Sequence, residues 1–370
     1  MEETIKMTPI LRDDGYYVGT TLNNWLKDSG SSELIALYYY TANNRIERTL
    51  TEFAARLCYN STSRLGTSPR FVEKVLEDGH LSVAEHVSFF FKMPYMESAQ
   101  GYRKPFIEKR DILSMFDKNR YIEVTEKAIF SNLRALQETL VGMNNNFSMC
   151  INTTLEPIFP DFFKKTSWQL LHDETPKNLY VPGEENVCLL AFNFGSTYKS
   201  KIAPGLKLNK FNVYRNWTRY TFLIECSRNC ANQLVRHRGA SISQESQRYV
   251  DAKNNRGFVF PPDATQEQVD SMALYFQESL KAYERLRDTG MKKEDARMLL
   301  PGGIKTRMVV SFNYYELLHF LKLRTDKHAQ WEIRDIAFKM LKQAALVTDK
   351  EKGGGLHELS NSVFAGGSGI

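Results

Sequence analysis

Residues 307–344 read RMVVSFNYYELLHFLKLRTDKHAQWEIRDIAFKMLKQA, and elements of two different periods follow one another within them. Arg307–Phe312 alternates as a β-strand does. Asn313, with Glu316 three residues on, has the form of a helix start, and Leu317, Phe320 and Leu321 supply an apolar stripe behind it. A second helix carries Ile333, Ile336, Ala337, Met340, Leu341 and Ala344 on one face. A strand feeding consecutive helices, with no regular βαβ alternation anywhere in the chain, points to the α+β class.

Working upstream, Thr265 and Gln268 form a capping box for a helix striped by Val269, Met272, Ala273, Phe276, Leu280 and Tyr283, and Gly290 stops it. Tyr220–Glu225 reads as a strand, and Cys226–Val235 as a helix running into a polar loop. Near the N-terminus, ELIALYY (33–39) reads as a buried strand and 46–58 as a helix. Ser68 as N-cap and Pro69 at the first position predict a further helix, with Phe71, Val72, Val75 and Leu76 inward and Gly79 closing it. His86–Met93 then reads as a strand. In the middle, Arg120–Phe130 alternates like a hairpin and Asn132–Leu140 reads as a helix, but 141–217 mixes aromatics, Pro, Gly and Asn with no sustained period. The expectation is one catalytic domain whose core, about 33–93 and 218–346, is split by an insertion at about 94–217. A Gly- and Ser-rich tail from Gly353 reads as mobile.

The bulk numbers allow this. At 370 residues the chain fits two average domains or one large domain with insertions. Its 42% hydrophobic content supports a sizeable core. No run approaches the roughly 18 apolar residues of a membrane span, and MEETIKMTPILRDD has no apolar segment of a secretory signal. Five cysteines, an odd number without a CxxC pair, point to a reducing, cytoplasmic setting. A net charge of +6 suits small anionic ligands as well as nucleic acid, so it excludes neither.

Chemistry concentrates in RHRGASISQESQRY, residues 236–249: three arginines, a histidine and three serines among small residues. Guanidiniums are rigid forked donors for phosphates and planar carbonyl-bearing rings. An isolated RHR is usually a solvated basic loop. Here it directly follows an apolar strand and a helix of small residues, so part of it should be buried, and a buried guanidinium needs a partner that an anionic ligand would supply.

That run resembles the RHRxxSxxxxSxRY pattern of the flavin-dependent thymidylate synthases (ThyX). AARLCYNS (54–61), DGHLSVAEHVSFFF (78–91) and ARMLLPGGIKTRMVVSFNYYELLHFLKLRTDKHAQWEI (296–333) resemble further stretches of that family in order. The resemblance implies a ThyX-like fold of mixed strands and long helices, outside which the insertion falls. It implies that Gln233, Arg236, Ser246, Gln247, Arg248 and Arg297 hold dUMP, with Gln244 on the ribose. It places Ser82, Glu85, Arg236, His237, Arg238, Asn313 and His319 on FAD, and His80 at the substrate entrance. Arg324 would be the catalytic residue that contacts the uracil and promotes its ionisation. No metal enters this assignment. Two positions depart from the family: Ser243-Gln244 stands where many members have Asn-Glu, and Tyr315 where many have an arginine. The helix start in Phe130-Ser131-Asn132-Leu133-Arg134-Ala135 resembles the missing Asn-x-Arg pattern.

Methylating uracil C5 requires making a poor nucleophile reactive. One route is a cysteine adding to the ring, but none of the five cysteines lies in the Arg-rich run or its C-terminal counterpart. The other is an arginine stabilising charge on the N3/O2 side, the part the resemblance gives Arg324. Ser246 reads as a phosphate ligand rather than a nucleophile. By resemblance, NADPH reduces FAD and methylenetetrahydrofolate supplies the carbon, with dUMP and reduced folate as substrates of a homotetramer whose active sites lie between subunits. No GxGxxG follows a strand, so a Rossmann site is not expected. A relative that hydroxymethylates its pyrimidine nucleotide, and a nucleic-acid-binding protein reusing the basic loop, are the rival readings.

Overall fold

The computed structural model of the chain describes residues 10–11, 17–18, 46–68, 70–92, 95–97, 103–105, 122–124, 128–140, 186–193, 219–252, 257–348 and 354–364. The strand expected at 33–39 lies outside them. The strands are β1 Ile10–Leu11, β2 Tyr17–Val18, β3 Ser88–Lys92, β4 Tyr95–Glu97, β5 Arg103–Pro105, β6 Ile122–Val124, β7 Ala128–Asn132, β8 Val187–Asn193, β9 Arg219–Ser227, β10 Ser241–Gln244 and β11 Lys305–Asn313. The helices are α1 Ile46–Cys58, α2 Phe71–Glu77, α3 Leu133–Leu140, α4 Arg228–Leu234, α5 Gln266–Asp288, α6 Lys293–Ala296, α7 Tyr314–Arg324, α8 Trp331–Val347 and α9 Gly354–Phe364.

Six strands form an antiparallel sheet in the order β1-β2-β8-β9-β11-β10. Its spine is the pairing of β9 with β11 from Arg219↔Asn313 to Ser227↔Lys305. Residues of even number on these strands (Tyr220, Phe222, Ile224, Met308, Val310, Phe312) meet buried side chains of α4, α7, α8 and α9. Alternate residues face the other way, because side chains on a strand change sides at every step. There Ser311 and Ser243 meet His86 of the 3-10 helix Leu81–His86, and α1 packs nearby against β10 and β11. Two covered faces explain why RYTFLIECS is a nearly continuous buried run. A second antiparallel sheet, β3-β7-β6, lies beside this layer, and β4 pairs with β5.

The helix layer matches the sequence pattern closely. Asn313 accepts the Glu316 amide, the Thr265–Gln268 box closes in both directions, and Ile333, Ile336, Ala337, Met340, Leu341 and Ala344 are all buried. The hairpin expected at 120–130 is β6–β7, and Asn132 caps α3 by accepting the Ala135 amide at 2.8 Å.

Four expectations are corrected. Part of the expected insertion belongs to the main sheet: β8 pairs with β9 and buries Val187 and Leu189 in the core, while Gln343 of α8 accepts from Leu189 N (2.7 Å) and donates to Val187 O (3.0 Å). The tail is helical over Gly354–Phe364, because Leu356, Leu359 and Val363 form an apolar face within the Gly/Ser composition. Gly355 permits its close approach, since a Cβ there would stand 2.9 Å from Leu318. The helix expected to start at Ser68–Pro69 starts at Phe71; the Ser68 carbonyl accepts from Phe71 N in the preceding turn. Gly79 does follow its end, at φ +82°. Finally, His86 closes a 3-10 helix rather than opening a strand, its ring held by two serines across the sheet.

Candidate active site

Ser227 starts α4 by accepting from Cys230 N at 3.0 Å. The helix buries Cys230, Ala231 and Leu234 and leaves Gln233 half-buried. A tight turn follows, with His237 N donating to Leu234 O and Ala240 N to His237 O, both at 3.0 Å. This turns Arg236 and Arg238 to solvent, where neither has a partner among the described residues, and half-buries His237 between them.

Helix α7 runs along that loop. At its first turn the Glu316 carboxylate covers Gly239, where a Cβ would stand 2.1 Å from it. At Phe320 the His237 ring makes an edge-on contact, centroids 4.8 Å apart. At the last turn Arg324 Nε donates to His237 Nε2 at 3.0 Å. Burial first, then Arg324, then His319 lower the His237 pKa to about 4, so the imidazole is neutral at ordinary pH. His319 is exposed on α7 and Asn313 caps it. The 3-10 helix brings Glu85 to the same end of β10, its carbonyl accepting from Ser241 Oγ at 3.4 Å. The Glu85 carboxylate meets Arg134 at 2.5 Å, and Ser82 is exposed. Arg134 of the Asn-x-Arg pattern is thus directed at Glu85.

The other candidates gather beyond the far end of β10. Gln244 donates to Thr306 Oγ1 (3.3 Å), Ser246 Oγ accepts from Arg248 N (3.3 Å), and Arg248 Nε pairs with Glu294 (3.0 Å). Gln247 lies in the same turn, half-buried. Arg297 donates to Glu294 O at 3.0 Å, and burial and neighbouring Arg297 lower the Arg228 pKa. Tyr249 packs on Tyr59, whose hydroxyl is 3.3 Å from His80. Glu294 and Arg228 were not singled out from the sequence, since each lies outside the arginine-rich run and nothing in its spacing marks it; Tyr59 lies in AARLCYNS, where no role was read for it.

Within one chain the candidates therefore form two groups. Arg236, His237, Arg238, His319, Arg324, Asn313, Ser82 and Glu85 surround the start of β10; Gln244, Ser246, Gln247, Arg248 and Arg297 lie past its end, with Gln233 on α4 between.

The side chains at hand favour electrostatic over nucleophilic chemistry. Burial pushes the Cys58 thiol up to about 11, and its hydrogen bond to Cys226 together with burial pushes the Cys230 thiol up. Both are protonated, poor nucleophiles at neutral pH. The Ser246 hydroxyl is occupied by a backbone amide and meets no histidine or lysine among the described residues. The exposed guanidiniums of Arg236 and Arg238, without partners among the described residues, can meet the phosphates of an anionic ligand.

A family model described as thymidylate synthase complementing protein matches residues 40–100 and 215–348. The flavin-dependent thymidylate synthase of Thermococcus onnurineus is 44% identical over 131 residues, 34% of this chain and 54% of that protein. That of Geobacter sulfurreducens is 44% identical over 128 residues, 33% of this chain and 55% of that protein. The chain thus spans about half the length of the curated relatives it matches. Among solved structures, a UMP/dUMP methylase PolB from Streptomyces cacaoi bound with 5-Br dUMP is 24% identical, with a TM-score of 0.35 over 45% of this chain and 75% of that one.

Proposed function

The chain belongs to the thymidylate synthase complementing protein family, and on that premise we propose that it is a flavin-dependent thymidylate synthase converting dUMP to dTMP. The observation that carries this reading is Arg324. Its Nε is committed to His237 while, among the described residues, its two Nη groups meet no acceptor. They form a fork suited to a planar pyrimidine.

In this reading Arg324 stabilises negative charge on the N3/O2 side of the uracil and so makes C5 the nucleophile. Gln233, Arg236, Ser246, Gln247, Arg248 and Arg297 hold the phosphate and sugar of dUMP, with Gln244 on the ribose. Ser82, Glu85, Arg236, His237, Arg238, Asn313 and His319 hold FAD. Bound FAD, reduced by NADPH, supplies the redox chemistry that turns the methylene of methylenetetrahydrofolate into a methyl group. The division of the nucleotide ligands between two ends of β10 supports a site completed by a second copy in a homotetramer. So does the outer face of α5 and the segment after it, where Tyr275 is 65% and Met298 86% exposed. The buried free thiols of Cys226 and Cys230 suit a reducing cytoplasm.

The test is the visible spectrum of the pure protein together with mass spectrometry of its product from dUMP. A flavin band bleached anaerobically by NADPH, and a product heavier by one methyl group, are expected. A protein colourless even after incubation with FAD overturns the reading, and a hydroxymethylated product redirects it to a different pyrimidine modification.

A further inference from the structure

We propose that His237 is the positioning residue of Arg324, and that the histidine of the Arg-His-Arg run serves the nucleotide through this contact. The proposal rests on the reading of Arg324 as the uracil-facing group.

An arginine Nε–H can only donate, so the 3.0 Å contact makes His237 Nε2 the acceptor and leaves the ring proton on Nδ1. The ring cannot swing away from this duty. Its edge is packed against Phe320, and turns through Leu234 and Ala240 fix its backbone. Phe320 is fully buried on the same helix that ends in Arg324, so the histidine, the aromatic ring and the guanidinium form one unit along α7. Arg324 stands at the helix C-terminus, where its stem would otherwise sample several rotamers. Fixing Nε fixes the plane of the whole guanidinium, because its atoms are coplanar. The Nη1 and Nη2 donors are then presented edge-on to a flat acceptor without reorganisation when the substrate arrives. The charged or titratable groups that act on His237 are Arg324 and His319, both from α7. This environment keeps the imidazole unprotonated, the form the contact requires.

The test compares His237→Phe, which keeps a ring against Phe320 but has no acceptor, with His237→Gln, whose amide oxygen can reach the place of Nε2. Both are made in the full-length flavin-loaded protein, alone and combined with Arg324→Lys. Nitrogen-15 NMR of the parent should show His237 Nε2 as an unprotonated acceptor whose resonance moves on Arg324→Lys. His237→Phe, reconstituted with FAD, should retain the melting temperature yet lower the rate of dTMP formation per bound flavin about tenfold or more. His237→Gln should recover most of that loss. In the Arg324→Lys background His237→Phe should cost nothing further, the signature of two residues acting as one.

A protonated Nε2 in the parent overturns the proposal. So do losses from His237→Phe and Arg324→Lys that multiply, or a His237→Phe protein that loses flavin while its rate per bound flavin stays normal. If the parent makes no dTMP, the reaction assigned above fails instead, and the nitrogen resonances still decide whether His237 holds Arg324.

Discussion

Glu332 grips Ser227 at two points: one carboxylate oxygen accepts the Ser227 amide at 2.6 Å and the other its hydroxyl at 2.5 Å. Ser227 is where β9 becomes α4, so the first turn of α8 fixes the helix that delivers Gln233 and the arginine-rich loop. With Glu332 only 5% exposed, these are buried charge-assisted hydrogen bonds. Glu332→Ala should lower unfolding free energy by about 2–4 kcal/mol, and Glu332→Gln, which keeps one acceptor, by about 1–2 kcal/mol. Urea melts measure both. A loss below about 0.5 kcal/mol for the alanine variant would show that the grip contributes nothing net.

What could be read from the sequence follows which interactions are local. Asn313 with Glu316, Thr265 with Gln268, and the stripe from Ile333 to Ala344 were legible because capping and helical burial depend on residues three or four apart. The arginine-rich run was legible for its density of donors. Contacts between distant segments were not: Glu332 with Ser227, Arg248 with Glu294, and Arg324 with His237 link positions 105, 46 and 87 apart. The strand β8 was missed for a related reason. Its sequence VCLLAFN sits in a stretch without period, and a strand covered on both faces need not alternate. In the tail, glycine and serine content obscured an apolar face of three residues.

Removing β8 tests its place directly. Deletion of 187–193 exposes one edge of β9 and uncovers the core around Tyr220, Phe222 and Ile224. Insoluble protein, or loss of a cooperative melt, is expected. A soluble deletion variant with normal melting would mean that this strand is an appendage of the sheet.

Arg248 and Glu294 form an exposed pair, with side chains 57% and 37% accessible. Such pairs add little to stability, so Glu294→Gln should leave the melting temperature unchanged. If Arg248 serves the phosphate, the same change frees it and lowers the KM for dUMP a few-fold. Arg248→Ala should raise that KM about tenfold or more, as loss of a charged hydrogen bond does. An unaltered KM in both variants would remove Arg248 from the nucleotide ligands.

The fully buried His86 gives the fold an acid limit. Burial first, then Arg219, lower its pKa to about 3. Its ring bridges Ser311 (2.8 Å) and Ser243 (2.9 Å) as a neutral donor and acceptor. The unfolded chain protonates near pH 6.5, and the folded chain does so only near the lowered value. The stabilisation is therefore complete above pH about 6.5 and declines as pH falls towards about 3, at about 1.4 kcal/mol per pH unit. His237 acts in the same direction. Chemical melts between pH 6.5 and 4.5, above most carboxylate titrations, should show at least this slope, and His86→Asn should reduce it to the part due to His237. An equal slope in that variant would place the acid sensitivity elsewhere.

Arg324→Lys separates chemistry from architecture. A purely structural arginine here would be expected to pair with a nearby carboxylate, and the two that follow it most closely in sequence are committed elsewhere: Asp326 to His328 at 2.7 Å and Glu332 to Ser227. The Arg324 contact is with a neutral imidazole, and a lysine ammonium can also donate to that nitrogen. The fold should therefore survive, with melting temperature and flavin content close to the parent's. An ammonium is a point charge, however, and cannot present two parallel donors to a planar ring. Loss of one preorganised contact of this kind typically costs about 10²–10³ in rate, so single-turnover dTMP formation should fall by that factor while the affinity for dUMP changes much less. Melting temperature, bound flavin and the single-turnover rate are measured on one preparation. A folded, flavin-loaded variant turning over near the parental rate would show that uracil activation rests on a residue other than Arg324.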